Sequence, residues 1–263
     1  MIIENPFAKV EVGLMGANIL SFRLKKDDLE RMWQGDAMYW SGRNPILFPT
    51  IGSTASRSYR LDGKQYTIGN HGFARHSIFE LVEHKEDEIT LMLKDSEETL
   101  KQYPFHFRLY VSYRLIDTKL EITYRVENTN DVDMYFTFGL HPAFMCPIHS
   151  NERFEEYWIE YHGLHNVERR PLTYKDYTNN QSVIFFHQDS PYYKLTNGKH
   201  GIKVSSNGYR NVILWSKEDA SFICIEPWHG FKGEDHLEFQ EFPGMITLGA
   251  SRSYLTSYSI EMI

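Results

Sequence analysis

Leu120-Glu121-Ile122-Thr123-Tyr124-Arg125-Val126-Glu127 alternates apolar and polar residues without a break. That period of two marks a strand with one face buried and one face wet. Just upstream, Arg108 to Ile116 alternates in the same way, and Asp117-Thr118-Lys119 joins the two segments. Together they form one antiparallel hairpin. Working outward, Ala8 to Phe22 alternates loosely around Gly13 and Gly16, as a strand pair with a tight connection would. Tyr59 to Ile68 is a second hairpin, turned by Asp62-Gly63. Gly42 to Pro49 carries an apolar run between Pro45 and Pro49, a short buried strand or extended loop, and Lys25 to Arg31 is a charged surface turn. The best helix candidate is Ser96 to Pro104, with Ser96 as N-cap, two acids in the first turn and a proline stop, only one or two turns long. From Pro147 to Pro191 the period fades, and long loops on short strands are expected. No repeat, low-complexity tract or linker divides the chain. The expectation is therefore one all-β domain over residues 1–263, a large antiparallel sandwich with little helix.

Composition narrows the function. Aromatics make up 15% of the 263 residues, which suits sheets and a planar or sugar-like ligand. A net charge of −7 lacks the basic face that nucleic acid or an anionic membrane would require. The start Met1-Ile2-Ile3-Glu4-Asn5-Pro6 has neither a basic nor an apolar leader, no apolar run is long enough to span a membrane, and a cytoplasmic location is expected. Two cysteines, Cys146 and Cys224, are too few for a disulfide framework and should remain reduced near the cleft. His162 and His165 complete no zinc pattern, and no metal site is expected. Phosphate-loop and Rossmann patterns are missing too, so no cofactor is expected. Nothing in the sequence sets an oligomeric state.

Three places carry chemistry. Phe138-Gly139-Leu140-His141-Pro142-Ala143-Phe144 brings an imidazole to the exit of an apolar strand. Pro142 stops the strand and biases His141 towards extended backbone, so the ring is aimed in a defined direction. Gly69-Asn70-His71-Gly72-Phe73-Ala74-Arg75 places a second histidine in a loop whose glycines allow close approach to a ligand. Phe222-Ile223-Cys224-Ile225-Glu226-Pro227-Trp228 ends an apolar strand on a carboxylate, with Phe222, Cys224 and Glu226 on one face. A buried carboxylate costs several kcal/mol unless it is paired or partly wet. Read blandly, each is a packed or solvated strand-end residue.

These segments, with Arg43-Asn44-Pro45-Ile46-Leu47-Phe48-Pro49 and Tyr103-Pro104-Phe105, stand in an order that resembles the aldose 1-epimerase (galactose mutarotase) family across nearly the whole chain. The likeness is to its shorter bacterial branch associated with lactose operons. It implies a galactose mutarotase-like supersandwich and an isomerase that interconverts α and β sugar anomers without a cofactor. By the same likeness Glu226 is the base on the anomeric hydroxyl, His141 protonates the ring oxygen, and His71 assists or orients the sugar. Arg43, Asn70 and Arg75 are the expected polar sugar contacts, and Phe73, Phe144 and Trp228 are expected either to stack on the apolar face of a pyranose or, equally, to be core residues. The pattern departs at Ser53, which follows Ile51-Gly52 where relatives often carry arginine; Arg43, Arg57 and Arg75 are the candidates for that place. The family's sugar-binding aspartate has no matching position. The chemistry itself needs only one proton taken from the C1 hydroxyl and one given to the ring oxygen. On that basis the rate should drop at acid pH as Glu226 protonates. Other readings on the same scaffold are a non-catalytic carbohydrate-binding protein and a hexose-6-phosphate epimerase.

Overall fold

The computed structural model describes residues 1–263. The 108–127 alternation forms the strands Phe107–Ile116 and Lys119–Asn128, turned by Asp117-Thr118 alone. Their burial alternates residue by residue, with Leu120, Ile122, Tyr124 and Val126 inside. Around this hairpin lies a nine-stranded antiparallel sheet. Its order from edge to edge is Val167–Pro171, Trp158–His162, Tyr192–Thr196, Gly201–Ser205, Ser253–Met262, Lys119–Asn128, Phe107–Ile116, Glu88–Lys94 and Glu80–His84.

A six-stranded sheet completes the sandwich, ordered Val183–Phe185, Asn211–Trp215, Phe222–Trp228, Gly139–Leu140 and Ile46–Leu47, with Ala143–Met145 also paired to Phe222–Trp228. Both sheets feed one core of 58 buried residues, to which the smaller sheet contributes Val212, Leu214, Ile223 and Ile225. Because strand side chains alternate, the remaining residues of the 222–228 strand point to the sheet's other face. Cross-strand pairing puts Trp215 beside Cys224, Ile213 beside Glu226 and Asn211 beside Trp228 on that same face. The outer face of the smaller sheet therefore carries the carboxylate that the sequence singled out.

Several local expectations hold. Ser58–Leu61 and Lys64–Thr67 form the hairpin at Asp62-Gly63. Ser96 caps the single α-helix, Glu97–Gln102, in a reciprocal capping box with Thr99. Both cysteines are buried and unpaired. One reading gains detail and one needs correction. The 147–191 region contributes two strands to the large sheet, and one, Val167–Pro171, is an edge strand whose exposed polar residues hide its period. In the Lys25–Arg31 turn, Arg31 is buried, donating to Asp27 at 2.6 Å and to the Leu29 carbonyl.

Candidate active site

Glu226 sits in the middle of the smaller sheet, 1% exposed, and His141 lies on the neighbouring chain just past the Gly139–Leu140 strand. The backbone there is fastened: Ile225 donates its N–H to the Pro142 carbonyl, and Trp228 donates Nε1–H to the Leu140 carbonyl at 3.1 Å. The result brings Nε2 of His141 to 3.4 Å from Oε2 of Glu226. That oxygen and Nδ1 of His141 are buried with no protein hydrogen-bond partner. Buried polar atoms are normally satisfied, so an orphaned acid and imidazole on one sheet face mark a place built for a ligand's polar groups.

His71 arrives from the glycine-rich loop. Its backbone φ is +64°, a conformation that costs a non-glycine residue about 1–3 kcal/mol and persists only where its surroundings enforce it. Two bonds to Gly52 do so: His71 donates its N–H to the Gly52 carbonyl at 2.8 Å, and its Nδ1 accepts the Gly52 N–H at 3.0 Å. An accepting Nδ1 leaves the neutral ring's proton on Nε2. His71 is therefore a fixed donor, its ring 5.9 Å from that of His141 and 6.1 Å from that of Trp228.

Gly72 must be glycine, because its φ is +70° and a Cβ would stand 2.2 Å from the Phe48 carbonyl oxygen. Gly72→Ala is expected to cost about 2 kcal/mol or more, read as a lower urea midpoint at unchanged m-value. A wild-type midpoint would contradict this account of the loop.

Burial sets the protonation of the cluster. It pushes the Glu226 carboxyl well above its ordinary range. It pushes His141 well below, helped by His71 and the Arg75 guanidinium, and it holds His71 down to about 3, again with Arg75. His229, nearby on the chain, is held to about 4 by burial and Arg210. The sign for stability follows. Between pH 6.5 and 4.5 the unfolded chain protonates these three imidazoles while the folded chain keeps them neutral, whereas Glu226 alone holds a folded-state proton that the unfolded chain releases. The unfolded state binds more protons, so stability falls as pH drops through this window. Allowing for the partial exposure of His71 and His229, at least ~1 kcal/mol should be lost between pH 7 and pH 5. Urea unfolding at both values checks this; equal or greater stability at pH 5 contradicts it.

The sequence did not point to the aromatic wall. Trp40 stacks on His141 at 4.8 Å between ring centres and 28° between planes, and Trp215 meets the same imidazole edge-on at 5.8 Å. Gly42 makes room for the Trp40 ring, since a Cβ there would lie 2.3 Å from it; the spacing Trp40-Ser41-Gly42 was the available signal.

Two expected sugar contacts are corrected. Phe144 is fully buried, cross-strand to Ile223 on the core face. Phe73 is 7% exposed and packs against Phe48, Tyr103 and Phe107. Neither ring faces a ligand. Trp228 stays at the site, half-buried beside His71, and Asn70 is exposed in the same loop. Among the arginines, Arg57 is exposed and Arg43 is bound to the Leu20 carbonyl and the Gln34 amide oxygen. Arg75 has no carboxylate partner, acts on both histidines, and shares with Arg43 a hollow of about 460 Å³. His141, Cys224 and Glu226 also offer ligand atoms within 4.8 Å of one another, enough to hold a soft cation, though only by consuming the acid–base pair.

With this geometry in place, comparison with known proteins is decisive for class. The family model for aldose 1-epimerase matches residues 1–257. The chain belongs to the aldose 1-epimerase family. Within it, the chain is 31% identical over 261 residues to the chromosomal protein LacX of Lactococcus lactis subsp. lactis, covering 87% of each. It is 28% identical over 152 residues to a putative glucose-6-phosphate 1-epimerase of Escherichia coli, covering 53% of this chain and 48% of that one. Its fold matches the galactose mutarotase related enzyme of Lactobacillus acidophilus at a TM-score of 0.92 with 30% identity, covering 100% of this chain and 97% of that one. A galactose mutarotase-like protein from Lactobacillus casei gives the same TM-score at 29% identity, with 100% and 99% covered. No helix is long and apolar enough to cross a membrane.

Proposed function

We propose that this protein is an aldose 1-epimerase whose acid–base pair is Glu226 and His141. The observation that carries the reading is the 3.4 Å approach of these two groups, each with a buried polar atom lacking a partner. The Glu226 carboxylate takes the proton of the C1 hydroxyl while the His141 imidazolium gives one to the ring oxygen. The bond between C1 and the ring oxygen breaks, leaving an open aldehyde. Rotation about the C1–C2 bond presents the other face, and the reverse transfers close the ring as the opposite anomer. His71 donates from Nε2 to a sugar oxygen, and Trp40 and Trp215 hold the His141 ring in place. The supporting frame is rigid sheet, as positioned catalysis requires.

The pair carries one proton in either arrangement. Burial favours protonated Glu226 beside neutral His141, and ring opening uses carboxylate beside imidazolium; moving one proton across the 3.4 Å gap interconverts them. On this reading the acid limb is assigned to the pair, with Glu226 one member of it. With the imidazole held well below its ordinary value by burial, kcat/KM should show no acid-side decline as pH falls through 6.5. An inflection at the ordinary imidazole value contradicts this.

Polarimetry of freshly dissolved α-glucose or α-galactose tests the activity itself. Faster approach to the equilibrium rotation with protein than without supports it, and binding without acceleration supports a carbohydrate-binding protein on the same scaffold. The unpaired Arg75 beside the 460 Å³ hollow favours including hexose 6-phosphates in the same assay.

A further inference from the structure

The catalytic face does not end at Glu226. Two residues on, Trp228 shares that face, and its cross-strand partner Asn211 opens onto a second hollow of about 520 Å³, within the size range of small-molecule sites, about 300–1,000 Å³. A line of rings leads there from the candidate active site. His71 meets Trp228 at 6.1 Å, Trp228 meets Phe231 at 5.9 Å, and Phe231 meets Phe186 at 5.3 Å.

Phe186 is the telling member, because it is 59% exposed and yet held in position. The preceding strand Val183–Phe185 pairs with Val212–Leu214, and the Gln188 N–H donates to the Arg210 carbonyl. Its ring lines the hollow together with that of Phe231. Polar groups complete the hollow. His229 is kept neutral and is fixed through Nε2 by the Tyr254 and Thr256 hydroxyls; Arg210 is exposed with no carboxylate partner. Aromatic faces beside neutral and single-cation hydrogen-bonding groups are what a pyranose ring with its hydroxyls requires.

We infer that this hollow is a subsite for a second sugar unit, so that the preferred substrate is a reducing disaccharide or longer saccharide whose free anomeric carbon lies between His141 and Glu226. The inference rests on the epimerase reading for the first unit. Anomerisation of glucose is compared with that of maltose, cellobiose and lactose, in the wild type and in Phe186→Ala. At least one disaccharide should show a higher kcat/KM than glucose. Phe186→Ala should lower that disaccharide value by roughly tenfold while glucose turnover stays unchanged, and Phe186→Tyr should restore it. Glucose turned over with no disaccharide exceeding it overturns the subsite and leaves the epimerase reading standing, as does an equal effect of Phe186→Ala on both. Where no sugar is turned over, titration of the same sugars by tryptophan fluorescence still decides: tighter disaccharide binding that depends on Phe186 supports the subsite, and binding indifferent to Phe186 overturns it.

Discussion

Glu226→Gln should leave a folded protein that binds sugar and turns it over about 100- to 10,000-fold more slowly, the range of a positioned acid–base group. The amide keeps the shape of the carboxyl but cannot take the C1 proton. At a position 1% exposed in mid-sheet, the near-isosteric change creates neither a cavity nor a buried charge, and it removes a carboxyl that burial already disfavours in its ionised form. Stability should therefore hold or rise slightly. The loss should fall on kcat with KM little changed, the sign of an interaction needed mainly in the transition state. Turnover near the wild-type rate would send the role of base to another carboxylate.

His141→Asn should produce a loss of similar size. His141 faces Trp40, Trp215, His71 and Glu226, so the smaller amide leaves a gap against the Trp40 ring, and a modest fall in stability is expected alongside the loss of rate. The two effects separate by measurement: urea unfolding reads the gap, and the rate at saturating sugar reads the missing acid. Because both residues act on one transfer, the double variant should be little slower than either single variant. Additive losses would mean that the two groups work independently.

Much of the frame could be read in advance because its strands are wet on one face. Leu120 to Glu127 shows its period openly, and the Asp62-Gly63 turn and the Ser96 cap depend on residues adjacent in sequence. Val167–Pro171 did not show because an edge strand with both faces exposed has no apolar partner to create an alternation. At the site, parity served well within one strand: Phe222, Cys224 and Glu226 do share a face. It was not applied to Phe144, three residues from His141, where an odd spacing already argues for the opposite face. Trp40 and Trp215 approach His141 from separate loops and strands, and no local pattern encodes a contact across 101 or 74 positions of chain. The unpaired state of Arg75 was likewise invisible, since it depends on which carboxylates the fold keeps away.

The most direct measurement is NMR exchange spectroscopy on sugars at anomeric equilibrium, following the C1 protons of both anomers across a panel of hexoses, reducing disaccharides and hexose 6-phosphates. The wild-type protein should give exchange cross-peaks above the spontaneous rate for at least one sugar, and Glu226→Gln at the same concentration should abolish them. No exchange above background for any sugar, or exchange that persists in Glu226→Gln, would contradict an epimerase built on the Glu226–His141 pair.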